Sequence, residues 1–151
     1  MKNVSEYRGL SMPDPRLLQF LGLIAILNVL HLVDHIFRGD FHWPIDEQSI
    51  GFLIVATVIL GGMALGVRLY RSGLVGPRFW VMVGVLGLGL GWLSHFSPMT
   101  DQPVSVIYQG YTAPWAGALA VSCLFFLMSA VLGATVLAGS LWMRGVPRRS
   151  I

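Results

Sequence analysis

The chain has few charged residues and almost no cysteine. Only 11% of its 151 residues are charged, whereas an ordinary soluble domain carries roughly 25%. A soluble protein needs a polar shell, and this sequence holds too few charges to build one, while a surface that faces lipid needs none. The single cysteine, Cys123, excludes an intramolecular disulfide and a zinc site built from several cysteines.

In place of charge, the sequence has four long apolar runs. A spanning helix needs about 20 mostly apolar residues, and segments at about 16–38, 50–71, 78–96 and 114–143 reach or approach that length. The first run is too long for a signal-peptide core, and no small-residue cleavage site follows it, so we expect it to be retained. We predict one all-α domain over residues 1–151, an integral membrane four-helix bundle in which sequential helices are antiparallel neighbours.

The basic residues are distributed unequally between the two ends of the predicted helices. One of ten, Arg38, lies in the connections that follow the first and third helices. Cytoplasmic segments are enriched in lysine and arginine, so we expect both termini to be cytoplasmic and those two connections to lie outside a bacterial-type plasma membrane. Short basic clusters between apolar runs argue against a nucleic-acid partner and favour the lipid bilayer, other membrane proteins or a second copy. The other nine basic residues are Lys2, Arg8, Arg16, Arg68, Arg71, Arg78, Arg144, Arg148 and Arg149.

The first helix carries a polar stripe among leucine, isoleucine and valine. Its members lie within roughly 120° of one another on a 3.6-residue helix, and ionisable residues inside a spanning segment are a functional hypothesis by default. We expect His95, at the end of the third helix, to lie at the depth of His35, and Cys123 near the level of His31. The members of the stripe are Asn28, His31, Asp34, His35 and Arg38.

The histidines favour a transition-metal site. His31 and His35 are four residues apart and so share a helix face, and His95 would add a third imidazole. Asp34 would be a further ligand, or would hold one imidazole in the right tautomer. Imidazole ligands suit zinc, copper or iron. The nearby loop acids Asp40, Asp46, Glu47 and Asp101 would attract cations, and His42 is expected to be an exposed loop residue rather than a ligand.

Three other interpretations of the same residues stay open. A haem would take His31 or His35 together with His95 as axial ligands, with room beside Gly84, Gly87, Gly89 and Gly91. A metal-free proton relay would run through His31, Asp34 and His35. A purely structural role would pair Asp34 with Arg38 and satisfy His31 through Asn28. The glycine pairs Gly62 and Gly66, and Gly87 and Gly91, also have the spacing of close helix packing.

Two classes of function therefore remain. One is a metal- or haem-binding membrane protein, either a redox component or an enzyme, with its site near the outer face. The other is an accessory subunit of a larger membrane complex, with no chemistry of its own. The His-x-x-Asp-His run differs from the H-E-x-x-H pattern of zinc proteases in the position of its acid, so no reaction follows from it.

Overall fold

The computed structural model describes residues 13–100 and 102–145, and its only regular elements there are helices. This confirms the all-α class for the described part of the chain. The helices are α1 (Pro15–Phe37), α2 (Glu47–Arg71), α3 (Pro77–His95), α4 (Val104–Gln109) and α5 (Pro114–Gly145).

Four of these helices, α1, α2, α3 and α5, are long and apolar enough to cross a membrane, as predicted. The short helix α4 was not predicted, because six residues are too few for hydrophobic periodicity to reveal a helix. It lies in the connection between the third and fourth predicted spanning helices. The fully buried Ile107 anchors α4 against Ala120 and Leu124 of α5.

Both ends of α1 are set by local sequence. At its start, the Asp14 carboxylate accepts hydrogen bonds from the backbone N–H groups of Arg16 and Leu17, which are donors that a helix cannot satisfy itself. At its end, Gly39 adopts a φ of 95°, a conformation that glycine allows most readily. The Gly39 N–H donates to the Ile36 carbonyl and the Asp40 N–H to the His35 carbonyl, the two bonds of a Schellman motif. Asp40 is thereby turned back over the last turn of α1.

Helix α5 is the element against which α1, α3 and α4 all pack. On α1 the core is formed by leucine and isoleucine, and on α5 largely by alanine, so the two backbones approach closely. Of the sequential spanning helices, α1 contacts α2 and α3 contacts α5, as expected, and α1 also packs along α5. Most of the apolar surface of α2 faces away from the other described helices.

The glycines of α3 serve this contact with α5. A Cβ at Gly84 would lie 1.9 Å from Oγ1 of Thr135, and one at Gly91 would lie 2.5 Å from Sδ of Met128. These positions therefore admit a neighbouring helix. Of the predicted pair on α2, Gly66 packs against Trp80, whereas Gly62 has no atom within 4 Å of where its Cβ would be. The packing prediction for Gly62 is wrong, since it faces the outer side of α2.

Alanine at Gly117 is expected to destabilise the protein. A Cβ there would lie 2.3 Å from the Tyr108 carbonyl oxygen, and a backbone atom cannot rotate away as a side chain can. Overpacking of this kind costs about 1–3 kcal/mol, measurable by thermal or denaturant unfolding in detergent. Gly89→Ala is the matched control, because nothing lies within 4 Å of that position. Equal stability of the two variants would contradict the close contact between α4 and α5.

Candidate metal centre

Three imidazoles meet where α1 and α3 end. His31 and His35 share one face of α1, and His95 is the last residue of α3. The Nε2 atom of His31 lies 3.2 Å from Nε2 of His35 and 3.3 Å from Nε2 of His95. One ligand atom from each residue falls within 4.8 Å of the other two. The three residues can therefore hold one metal ion.

The cluster is largely shielded. His31 is 8% exposed and His95 is 7% exposed, and His35 is partly buried. The His31 ring stands nearly perpendicular to the other two, at 75° to His35 and 78° to His95. The three rings therefore meet at their nitrogen-bearing edges rather than stacking face to face.

Two of the three rings are oriented by an acceptor on the far side. Nδ1–H of His35 donates to Oδ2 of Asp40 at 2.6 Å, and Nδ1–H of His95 donates to the backbone carbonyl of Gln102 at 3.2 Å. Both partners only accept, so each ring carries a proton on Nδ1. For His35, the 2.6 Å contact with Asp40 outweighs that of the Arg38 guanidinium, a donor that lies 3.2 Å from the same nitrogen. The Nε2 lone pairs of His35 and His95 consequently point toward the shared centre. Metal-binding histidines are usually held by such partners.

The chain delivers both acceptors through local structure. The Schellman turn at Gly39 brings Asp40 beside His35, and the side-chain amide of Gln48, in the first turn of α2, donates to Oδ1 of Asp40 at 3.1 Å. After α3 the chain folds back over His95, where the Gln102 N–H donates to Oγ1 of Thr100 at 3.0 Å. These contacts place the acceptors independently of any bound ion.

Asp34 lies beside the cluster rather than within it. Its Oδ2 accepts from Nε and from a terminal nitrogen of Arg38, at 3.1 and 3.0 Å, and its Oδ1 accepts from the Tyr111 hydroxyl at 2.7 Å. The same Oδ2 lies 3.8 Å from Nδ1 of His31. Because the two nitrogens of an imidazole point in opposite directions, Asp34 is on the side away from the three Nε2 atoms. The expected ion pair between Asp34 and Arg38 is therefore present, and Asp34 is not placed as a ligand.

The segments 96–100 and 102–113, which together we call the cap, cover this end of the protein. Besides the carbonyl of Gln102, the cap contributes the Gln102 side chain, which accepts from Arg38, and the Tyr111 hydroxyl, which binds Asp34. Burial, together with the hydrogen bond to the Asp34 carboxylate, raises the pKa of Tyr111 to about 12. Tyr111 is therefore a neutral phenol, and a hydrogen-bond donor, throughout the physiological range.

Other candidate residues lie outside the cluster. His42 is exposed, with Nε2 3.3 Å from Oδ2 of Asp46. The hydrogen bonds that Asp46 accepts from Ser49 at the start of α2 hold the pKa of its carboxyl below its usual value.

Cys123 contacts the Leu27 carbonyl. The amide of Asn28 donates to the carbonyl of Ile24, its own helix, and not to His31. Glu47 opens α2. The following lie outside the described residues: Lys2, Arg8, Asp101, Arg148 and Arg149.

Sequence reasoning missed three residues that hold the cluster: Asp40 as the partner of His35, Gln102 and Tyr111. A signal existed for Asp40, because a glycine directly after a helix that ends in arginine is typical of a Schellman cap. That cap returns the second residue beyond the helix toward its last turn. No comparable signal exists for Gln102, which lies in the irregular turn after α3, or for Tyr111, which reaches Asp34 through tertiary packing.

The arrangement brings three imidazole nitrogens to one point, with a carboxylate and a backbone carbonyl orienting two of the rings. Such a donor set suits zinc, copper and iron. Comparisons with protein-family models, with curated proteins and with solved structures found no match to this chain.

Proposed function

We propose that the protein is an integral membrane metalloprotein that binds one transition-metal ion through Nε2 of His31, His35 and His95. The observation that carries the proposal is the convergence of these three atoms while acceptors engage the opposite nitrogens of two rings. A histidine with a merely structural role needs one hydrogen-bond partner. It does not need to share its remaining nitrogen with two other imidazoles.

The spacing of the nitrogens supports a single ion. Two nitrogens bound at about 2.0–2.1 Å from a tetrahedral ion are about 3.3 Å apart. The two Nε2 distances from His31 are 3.2 and 3.3 Å. These nitrogens therefore need little movement to become ligands of the same ion.

The same spacing argues against haem. Axial ligands bind on opposite sides of the iron, so their nitrogens are about 4 Å apart with a flat macrocycle between them. His31 and His95 are closer than this, and His35 occupies the space beside both. Three of the four α3 glycines that would leave room for a macrocycle, Gly84, Gly87 and Gly91, instead face side chains of α5.

Three protein ligands leave at least one coordination position for a small exogenous molecule. Structural zinc sites are closed by four protein ligands, whereas catalytic sites commonly use three. The geometry therefore favours a metal-dependent enzyme or a redox component over a site that only stabilises the fold. Imidazole ligands suit zinc, copper and iron, and the identity of the bound ion distinguishes a metal-dependent enzyme from a redox component.

We infer that the metal site lies near the outer face of the membrane. The cluster is at the ends of α1 and α3, whereas Arg16, Arg68, Arg71 and Arg78 lie near the opposite ends of the helices. Since basic residues favour the cytoplasmic side, the cap would face outward. Lipid is sufficient to cover the exposed apolar face of α2, so that face does not by itself require a partner subunit.

Metal analysis tests the proposal directly. Protein purified in detergent, incubated separately with zinc, copper(II) or iron(II) and then desalted, is expected to retain one ion per chain for at least one of these metals. The variant with alanine at His31, His35 and His95 is expected to retain none while keeping the helical content of the parent. Equal retention by both proteins would place any metal elsewhere, and a Soret band in the parent would replace the proposal with haem.

A further inference from the structure

The third imidazole of the cluster differs from the other two. Nδ1 of His31 is buried and has no hydrogen-bond partner within the described part of the chain. The nearest charged acceptor is Oδ2 of Asp34, at 3.8 Å, which is beyond hydrogen-bond distance. A buried polar nitrogen beside a carboxylate ordinarily binds it, so the gap requires an explanation.

The proton positions of the neighbouring rings supply that explanation. His35 and His95 carry their protons on Nδ1, so both present a lone pair at Nε2 toward His31. The contacts at 3.2 and 3.3 Å are favourable only if His31 carries its proton on Nε2 and donates it to them. Nδ1 of His31 then bears a lone pair. Two acceptors repel each other, and Asp34 remains at 3.8 Å.

We propose that metal binding switches the tautomer of His31 and makes Asp34 its positioning residue. This inference rests on the metal site proposed above. To bind an ion through Nε2, His31 must release that proton, and a neutral ring must then carry one on Nδ1. The Nε2 proton passes to solvent and a proton from solvent binds Nδ1, so the charge of the ring does not change. The new Nδ1–H faces Oδ2 of Asp34, and a movement of about 0.6–1 Å forms the hydrogen bond.

The switch links the metal to the cap. Asp34 already accepts from Arg38 and Tyr111, and the new bond would add a third donor on the side of His31. The path then runs from the ion through His31 and Asp34 to Tyr111 in the cap. Two of the three ligands are oriented before metal arrives, and the third becomes oriented only when metal is bound.

Nitrogen NMR of the histidine rings tests the switch with zinc(II) as the probe. The variant His42→Gln, labelled with ¹⁵N-histidine, contains the three cluster rings and none from the exposed loop. Without metal we expect two rings protonated on Nδ1 and one on Nε2. With one equivalent of zinc we expect all three protonated on Nδ1, so the result is a count and needs no individual assignment.

The variant Asp34→Asn assigns the acceptor. Partners that orient a metal-bound histidine typically contribute 10–100-fold to metal affinity. Asp34→Asn is expected to weaken zinc binding about as much as Asp40→Asn, and to shift the third Nδ1–H proton resonance of the zinc-loaded protein upfield. An effect of charge alone would weaken binding and leave that resonance unchanged.

The possible failures are distinguishable. If zinc binds at one per chain but the third ring keeps its proton on Nε2, or already carries it on Nδ1 without zinc, the tautomer switch is wrong and the metal site stands. If none of zinc, copper(II) and iron(II) is retained, the proposed function fails and the switch with it. If another of these metals binds but zinc does not, the switch as stated for zinc is wrong and the metal site stands. Should Asp34→Asn not fold, the count of ring tautomers with and without zinc decides the matter in the parent sequence.

Discussion

Replacing His31 by alanine is expected to weaken metal binding by roughly 10²–10³-fold. A structural zinc site contributes about 10–16 kcal/mol of binding free energy, shared among four ligands. Each factor of ten in affinity corresponds to about 1.4 kcal/mol. His31 is the ring whose Nε2 contacts both other imidazoles. Its loss leaves His35 and His95 with no ligand between them. The measurement is competition with a chelator of known affinity, on folded protein in detergent.

His42→Ala is the control for this experiment. His42 is also an imidazole in the same end of the protein, but its Nε2 pairs with the exposed Asp46 rather than with the cluster. We expect the metal affinity of the His42→Ala variant to match that of the parent protein. A loss in His42→Ala equal to that in His31→Ala would mean that the ion binds in the loop between α1 and α2. Unchanged affinity in His31→Ala would exclude the three-histidine centre.

Alanine at Arg38 is expected to produce the largest loss of stability among single substitutions at this end of the protein. The side chains of Arg38 and Asp34 are 5% and 6% exposed. Removing one member of a buried ion pair leaves the other charge without compensation, which typically costs about 3–5 kcal/mol. Arg38 also donates to Gln102 of the cap. The free energy of unfolding of metal-free protein in detergent measures the effect.

Two further variants separate the charge from the side chain that carries it. Arg71→Ala removes an exposed arginine at the end of α2 and is expected to change stability by no more than about 0.5 kcal/mol. The double variant Arg38→Ala, Asp34→Ala removes both charges, so it is expected to be more stable than Arg38→Ala alone. If the double variant is the less stable of the two, the uncompensated carboxylate is not the cause.

The convergence of the three histidines could be anticipated because it depends on regular geometry. A spacing of four residues places His31 and His35 on one face of any α-helix. Helices that span a bilayer in alternate directions bring the ends of α1 and α3 to the same side, and His95 is at that end. Periodicity and span length are properties of the sequence, so the depth of each ring followed from them.

The role of Asp34 could not be decided in this way. Asp34 would occupy the same position on α1 whether it bound the metal or paired with Arg38. The choice depends on which neighbours reach its carboxylate, and one of them, Tyr111, is 77 residues away in the chain. Likewise, the short helix α4 is too brief to have a detectable period, and its burial against α5 is what stabilises it.

The sequence by itself determined that the chain is helical, that four of its segments can cross a membrane, and that three imidazoles lie at one level. These properties follow from composition and from spacing along single helices. Only the tertiary structure decided which nitrogen of each ring faces the shared centre. That orientation is set by the hydrogen bonds that Asp40 and the Gln102 carbonyl accept, and by the distance between Asp34 and His31. The reason is physical. Helical periodicity fixes the direction of a side chain around the axis of its own helix, whereas a metal site also requires neighbouring helices to be positioned relative to one another within a fraction of an ångström.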